Sequence, residues 1–286
     1  MTSEIASNKA FGGYIKKFKA ESVTLGLRTQ FNVFVPSISG PSNGYPVLYY
    51  LSGLTCNEDT GPWKGGFLGH AQASGIALVF PDTSPRGAKV EGEEDSWDLG
   101  TGAGFYLDAT SPKWAKHYRM FSFITQELVS LLKGLNLPLD LSRQSIMGHS
   151  MGGLGALNLF LSTSQYCSAS AFSPACNPTK SPWGTKAFTN YLAGGIEEGE
   201  KYDPSCLLEK AKGRSNVHLL VDYGEQDQFL KDGQLRPEAL QQAAEKAGFA
   251  QESVNIRKQE GYDHSYYFIS TFAEEHIKYH AKFLKA

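Results

Sequence analysis

Short apolar runs alternate with helical patterns along this chain. Val47-Leu48-Tyr49-Tyr50-Leu51 is a continuous apolar run that ends in Ser52-Gly53. Ile76-Ala77-Leu78-Val79-Phe80 is another, closed by Pro81-Asp82. Runs this short, bounded by turn residues, predict strands buried on both faces. Ser145-Ile146-Met147, Ala169–Phe172, Val217–Val221 and Val254-Asn255-Ile256 predict further strands of the same kind. Upstream, the segment around Val23–Leu27 and the run Phe31–Val35 predict an early antiparallel hairpin. Between the runs the period changes. Phe121, Ile124, Leu128, Leu131, Leu132 and Leu135 recur at helical spacing within Tyr118–Leu135. Leu154–Leu161, Pro237–Ala247 with its leading proline, and Phe272–Leu284 read as helices too. Buried strands that alternate with helices predict an α/β fold with a mostly parallel central sheet, helices on both faces and an N-terminal antiparallel hairpin. No repeat, low-complexity tract or Pro/Ser-rich linker interrupts the pattern, and the one long irregular region is Arg86–Pro112. The expectation is a single domain over residues 1–286 that carries functional loops.

Composition narrows the function. A chain of 286 residues buries about three-quarters of its unfolded surface, so a large core is available. Lys+Arg number 27 and Asp+Glu 29, for a net charge of −2, which argues against a nucleic-acid partner. A hydrophobic fraction of 41% argues against disorder. No apolar run approaches the ~20 residues that span a bilayer, so no membrane partner is expected. Met1-Thr2-Ser3-Glu4-Ile5 has no basic stretch followed by an apolar one, and the expected location is the cytoplasm. Cys56, Cys167, Cys176 and Cys206 form no Cys-x-x-Cys pair and read as reduced thiols.

Candidate chemistry begins at Gly148-His149-Ser150-Met151-Gly152, which fits G-x-S-x-G. The pattern alone is weak. Its setting, between the strand at Ser145–Met147 and the helix at Leu154–Leu161, is what a nucleophile elbow requires: a sharp turn that projects Oγ outward, with glycines where backbones approach. A serine nucleophile needs a base, and the base an orienting carboxylate. Among later histidines, His218 starts a strand, while His276 and His280 lie on the last helix, where packed or solvated roles are the default. His264, in Gly261-Tyr262-Asp263-His264-Ser265, lies on a turn between the last strand and the last helix and is the preferred base. His149 adjoins the nucleophile and reads as packing, its ring turned away from Ser150. For the carboxylate, loop placement after a strand favours Asp227; Asp222 and Glu225 remain alternatives, and Asp263 is too close in sequence to hold its neighbour's ring. An oxyanion hole needs two N–H groups, one from Met151 and one from the loop Ser52-Gly53-Leu54-Thr55-Cys56, where Leu54 is the choice.

At these residues the sequence closely resembles the S-formylglutathione hydrolase (esterase D) family of the alpha/beta-hydrolase class. The resemblance rests on Leu51-Ser52-Gly53-Leu54-Thr55-Cys56, Pro81-Asp82-Thr83-Ser84-Pro85-Arg86-Gly87, Gly100-Thr101-Gly102-Ala103-Gly104-Phe105-Tyr106, Gly148–Gly153, Pro182-Trp183-Gly184, Asp227-Gln228-Phe229-Leu230 and Glu260–Tyr267. It implies a catalytic triad of Ser150, Asp227 and His264 with oxyanion donors Leu54 and Met151. It also implies a cytosolic, cofactor-free, usually dimeric thioesterase that releases formate and glutathione from S-formylglutathione. Asn57–Gly66 departs from the family's form, and Ser173 stands where alanine is common.

A formyl group carries only hydrogen beside its carbonyl, so a narrow acyl pocket is expected. Trp183 and residues around Phe105 are candidate walls. Cys56 is expected near the site without a catalytic role. Glutathione's carboxylates call for cations, for which Lys64, Arg86 and Lys186 are unranked candidates. The rival readings are a general short-chain carboxylesterase or acyltransferase on the same scaffold, and a silent binding protein, against which the intact Ser150, Asp227 and His264 argue.

Overall fold

The computed structural model describes residues 2–37 and 43–285. Nine strands among them form one sheet in the order β1-β2-β3-β5-β4-β6-β7-β8-β9. They are β1 Thr2–Ala10, β2 Gly13–Ser22, β3 Leu27–Val35, β4 Tyr45–Leu51, β5 Ala77–Pro81, β6 Leu139–His149, β7 Ala169–Phe172, β8 Leu219–Gly224 and β9 Val254–Gln259. The first three run antiparallel, β3 joins β5 antiparallel, and from β5 to β9 every pairing is parallel.

Strands β4 and β5 are apolar at every position because both faces are covered. Along β4, Val47, Tyr49 and Leu51 join the core on one face, while Leu48 and Tyr50 join the core on the other. Helices Phe67–Ser74 and Tyr266–Leu284 cover the second face. The helical segment 120–134, whose middle turn Phe123–Glu127 is π-helical, covers the first together with Met151–Ser162, Pro182–Tyr191, Pro204–Lys210 and Pro237–Ala247. Among the described residues no helix is long and apolar enough to cross a membrane.

The N-terminal hairpin departs from expectation in its first arm. Val23–Gly26 is not a strand but the turn before β3, which starts at Leu27, with Val23 90% exposed and the Val23 and Thr24 N–H groups bound to the Glu127 carboxylate. The partner of β3 is β2, with Tyr14 opposite Val35 and Ser22 opposite Leu27. Lysines hide this strand in the sequence: Phe18 and Ala20 point into the core while Lys19 between them points out. The edge strand β1 is almost wholly exposed, so it leaves no hydrophobic signal; its pairing with β2 holds it. The last helix starts at Tyr266, six residues before the expected Phe272. Helices Pro182–Tyr191 and Pro204–Lys210 were signalled by Pro at their first turns and by the caps Ser181 and Asp203.

His276 and His280, expected to be packed or solvated, are fully buried in a polar chain beneath the C-terminal helix. His276 bonds Asp222 (Nε2 to Oδ2, 3.1 Å) and Ser170 (Nδ1 to Oγ, 2.9 Å). His280 joins Ser170 to Ser168, each at 2.8 Å, and Ser168 bonds Ser145 at 2.8 Å. Arg257 grips Asp222 through two nitrogens at 2.7 and 2.6 Å. Burial acts to raise the Asp222 carboxyl, but hydrogen bonds from His276 and Arg257 hold it at about 2. Burial pushes both imidazoles down, His280 well below its ordinary value.

The linkage has one sign for all three groups. A depressed folded-state value stabilises above the unfolded value and that stability is lost on acidification. For the histidines the loss starts below about pH 6.5, the unfolded imidazole value, and for Asp222 it follows between about pH 4 and about 2. Thermal denaturation should therefore show Tm falling by several degrees from pH 7 to pH 5, while most carboxylates are still ionised. A Tm that stays level over that range would contradict the neutral, buried state of these rings.

Candidate active site

Strand β6 ends at His149 and the next helix begins at Met151, so Ser150 alone makes the turn. Its backbone sits at φ 57°, ψ −119°, a conformation that a side chain with a Cβ adopts only under strain. Neighbouring backbone holds it there. Ser150 N donates to the Phe172 carbonyl at 2.9 Å, and the Ser150 carbonyl accepts from Leu154 N at 3.0 Å. The flanking glycines are required by space: a Cβ at Gly152 would collide with the Leu51 and Ser52 carbonyls, and one at Gly148 with the Gly152 carbonyl. The helix thus starts directly behind the serine, with the positive end of its dipole toward it.

Asp227 lies in the loop after β8 and is fully buried. Its Oδ1 accepts from Phe229 N at 2.9 Å, capping the short helix Gln228–Lys231, and its Oδ2 lies 2.6 Å from His264 Nδ1. A carboxylate can only accept, so Nδ1 carries the proton and Nε2 is left as the basic nitrogen. Phe229 and His149 flank this imidazole, with ring centroids 4.6 and 4.4 Å away. The competing acids are spent elsewhere. Asp222 is held by Arg257 and His276, Glu225 pairs with Lys258 at 3.1 Å, and Asp263 binds the Ser265 N–H and hydroxyl.

The loop from Ser52 to Cys56 follows β4 and passes over the serine; a Cβ on Gly53 would stand 3.2 Å from the Ser150 Cβ. Thr55, at φ 65°, donates its N–H to the Gly102 carbonyl at 3.0 Å, and the Tyr106 hydroxyl donates to the Ser52 carbonyl at 2.8 Å. Among the described residues the Leu54 N–H donates to no backbone carbonyl or side chain. Met151 is the first residue of its helix, where an N–H has no intrahelical acceptor.

Ser150, His264, Leu54 and Cys56 line one cavity of about 190 Å³, closed by Trp97, Trp183 and Phe229. Trp97 and Trp183 meet edge to face at 5.6 Å, and Phe229 lies 4.6 Å from Trp183. Among the described residues no group of three His, Cys, Asp or Glu side chains is arranged to hold a metal.

The chain is similar to known proteins along nearly its whole length. A family model described as "Putative esterase" matches residues 22–279. The chain is 46% identical to the S-formylglutathione hydrolase of Mus musculus over 284 residues, 99% of each chain. It is 48% identical to that of Arabidopsis thaliana, covering 99% of this chain and 98% of the other. The solved structure of an S-formylglutathione hydrolase from Agrobacterium tumefaciens superposes with a TM-score of 0.90 at 41% identity, covering 98% of this chain and 99% of that one. This chain belongs to the S-formylglutathione hydrolase family.

Within this family member the remaining candidates separate. Trp183 is on the cavity wall, but Phe105 is behind it: its side chain is buried against Tyr191, and its N–H meets the Met151 sulfur at 3.4 Å. A left-handed φ of 48° turns Phe105 into the core, which a reading of spacing has no means to foresee. Trp97, Phe229 and His149 line the cavity without having been singled out as walls. His149 does pack, but on His264 itself, and it faces the same cavity as Ser150. Burial, with His264 beside it, pushes its imidazole well below the ordinary value and keeps it neutral. Cys56 lines the cavity, and burial pushes its thiol up, so it is not a thiolate. Of the three cations, Arg86 is held by Asp82 at 2.7 and 2.9 Å, Lys186 by Asp98 and Ser96, and Lys64 by no carboxylate among the described residues.

The aromatic closure sets a size limit. Replacing Trp183 with alanine should raise the ratio of kcat/KM for p-nitrophenyl butyrate over p-nitrophenyl acetate about tenfold or more, since each methylene accommodated is worth ~1–3 kcal/mol. An unaltered ratio would show that Trp183 does not limit the acyl group.

Proposed function

We propose that this chain hydrolyses S-formylglutathione to formate and glutathione through a formyl-enzyme on Ser150. The observation that carries the reading is the Asp227–His264 pair at 2.6 Å, facing Ser150 in a small aromatic cavity, in a chain so similar along its length to S-formylglutathione hydrolases.

In this reading His264 Nε2 takes the Ser150 proton as Oγ bonds to the formyl carbon. The N–H groups of Leu54 and Met151 hold the developing oxyanion. The C–S bond breaks, glutathione leaves, and the proton on His264 Nε2 passes to its thiolate, which frees Nε2 for the second half. A thiol of pKa ≈ 8–9 departs readily, so His264 matters chiefly as a base in this half. Water, losing its proton to His264, then attacks the formyl ester, and formate departs as Ser150 recovers its proton. Asp227 keeps the proton on Nδ1 and stabilises the imidazolium. A cavity of about 190 Å³ suits a formyl group and the sulfur beside it.

We read the whole chain as one catalytic domain, because the elbow on β6, the loop after β8 and the turn after β9 belong to a single sheet. The family likeness supports a cytoplasmic homodimer, and light scattering in solution should then report about twice the 31.3 kDa chain mass.

Steady-state kinetics test the substrate. kcat/KM for S-formylglutathione should exceed that for a short-chain aryl ester; the opposite order, by a wide margin, would make the enzyme a general carboxylesterase. A fluorophosphonate probe should label the wild type and not Ser150→Ala. Asp227→Asn should keep the fold and lower kcat by ~10⁴-fold, because the wrong imidazole tautomer then faces the serine. A loss of under tenfold would remove Asp227 from this role.

A further inference from the structure

We propose that Lys64, with the groove it shares with the start of the C-terminal helix, takes a carboxylate of the leaving thiol's peptide arm. The inference rests on the reading that the substrate is a glutathione thioester.

Size is the first ground. Pockets that hold a whole small ligand run about 300–1,000 Å³, whereas the catalytic cavity is about 190 Å³. The acyl group and sulfur fit inside; the tripeptide arm must lie beyond the rim. Of the larger hollows, the one of about 230 Å³ at Lys17 is excluded because Glu58 and Asp59 hold that lysine, which leaves two candidates. One, of about 570 Å³, is lined by Lys64, Ser265, Tyr266, Tyr267 and Ser270. Tyr266 links this groove to the catalytic cavity: its ring lies 5.7 Å from that of His149, which lines the cavity. The other, of about 410 Å³, includes Lys180, Arg236, Asp232 and Glu238.

Charge decides between them. The second hollow balances two cations with two carboxylates, and Arg236 is already turned to Glu238 at 3.4 Å and to the Lys180 carbonyl at 2.9 Å. The groove at Lys64 has one cation and no carboxylate in its lining. The nearby acid Asp263 is occupied by Ser265. Lys64 makes no ion pair among the described residues; its ammonium lies 6.0 Å from the Tyr266 ring, which anchors it at the groove's edge. Arg86 and Lys186, the other cations considered, are consumed by Asp82 and Asp98. An ammonium with no ion pair, on a groove with no carboxylate in its lining, is suited to a peptide carboxylate.

The test compares S-formylglutathione with the formyl thioester of N-acetylcysteamine, which has the same reacting bond and no carboxylate. Lys64→Glu should lower the ratio of kcat/KM for the first over the second about tenfold, chiefly through KM, and added salt should shrink the wild-type ratio. Lys64→Arg should restore most of it. Lys180→Glu should leave the ratio within about twofold. Equal losses on both thioesters, or a larger effect of Lys180→Glu, would overturn the assignment to Lys64. A wild-type enzyme that turns over the neutral thioester and not S-formylglutathione would instead overturn the functional reading itself.

Discussion

The strained turn at Ser150 is the constraint on which the rest of the site depends. A residue with a Cβ stays at φ 57° only if its surroundings leave no relaxed alternative. Here they do not. Gly152 is pressed onto the carbonyls that end β4, Gly148 onto Gly152, and the Ser150 N–H is tied to Phe172 at the end of β7. Three parallel strands therefore terminate against one residue. The strain is offset by the sheet's own pairing, and in return the hydroxyl stands at the carboxyl edge, ahead of a helix N-terminus.

Among the described residues are two Asp–His pairs, and their surroundings assign them different work. Asp222–His276 is wholly buried, crossed by Arg257 and continued by Ser170, His280 and Ser168. Its second ring nitrogen is spent on Ser170. Asp227–His264 is buried at the carboxylate and open at the ring, which leaves Nε2 to the cavity. The first pair nevertheless touches the site's foundation: His276 stacks on Phe172 at 3.8 Å, and the Phe172 carbonyl is the one that holds the Ser150 N–H.

The irregular region 86–112 acts as a buttress. Gly100, Gly102, Phe105 and Tyr106 all adopt positive φ, which folds the segment back on itself. Its hydrogen bonds then brace the loop over the serine from behind, through Gly102 to Thr55 and Tyr106 to Ser52. Tyr191 locks the buttress in turn: its hydroxyl accepts from Gly100 N at 2.7 Å and donates to the Ala103 carbonyl at 2.8 Å. A segment without periodicity is thereby held by polar groups together with the buried Ala103, Phe105, Tyr106 and Leu107.

The sequence by itself determined the α/β class, the central strands and the elbow. Burial on both faces writes an unbroken apolar run, and close backbone approach writes glycine at fixed offsets from Ser150. It also ranked His264 and Asp227 first by their positions after strand ends. It was silent on β1 and misplaced the first arm of the hairpin, because an exposed edge strand has no face to record and the lysines of β2 blur its alternation. Only the tertiary structure separated Asp227 from Asp222, moved Phe105 behind the wall, brought Trp97 and Phe229 onto it, and left Lys64 unpaired. Those outcomes depend on which side chains meet across 30 to 130 residues of chain, and local pattern carries no information about such meetings.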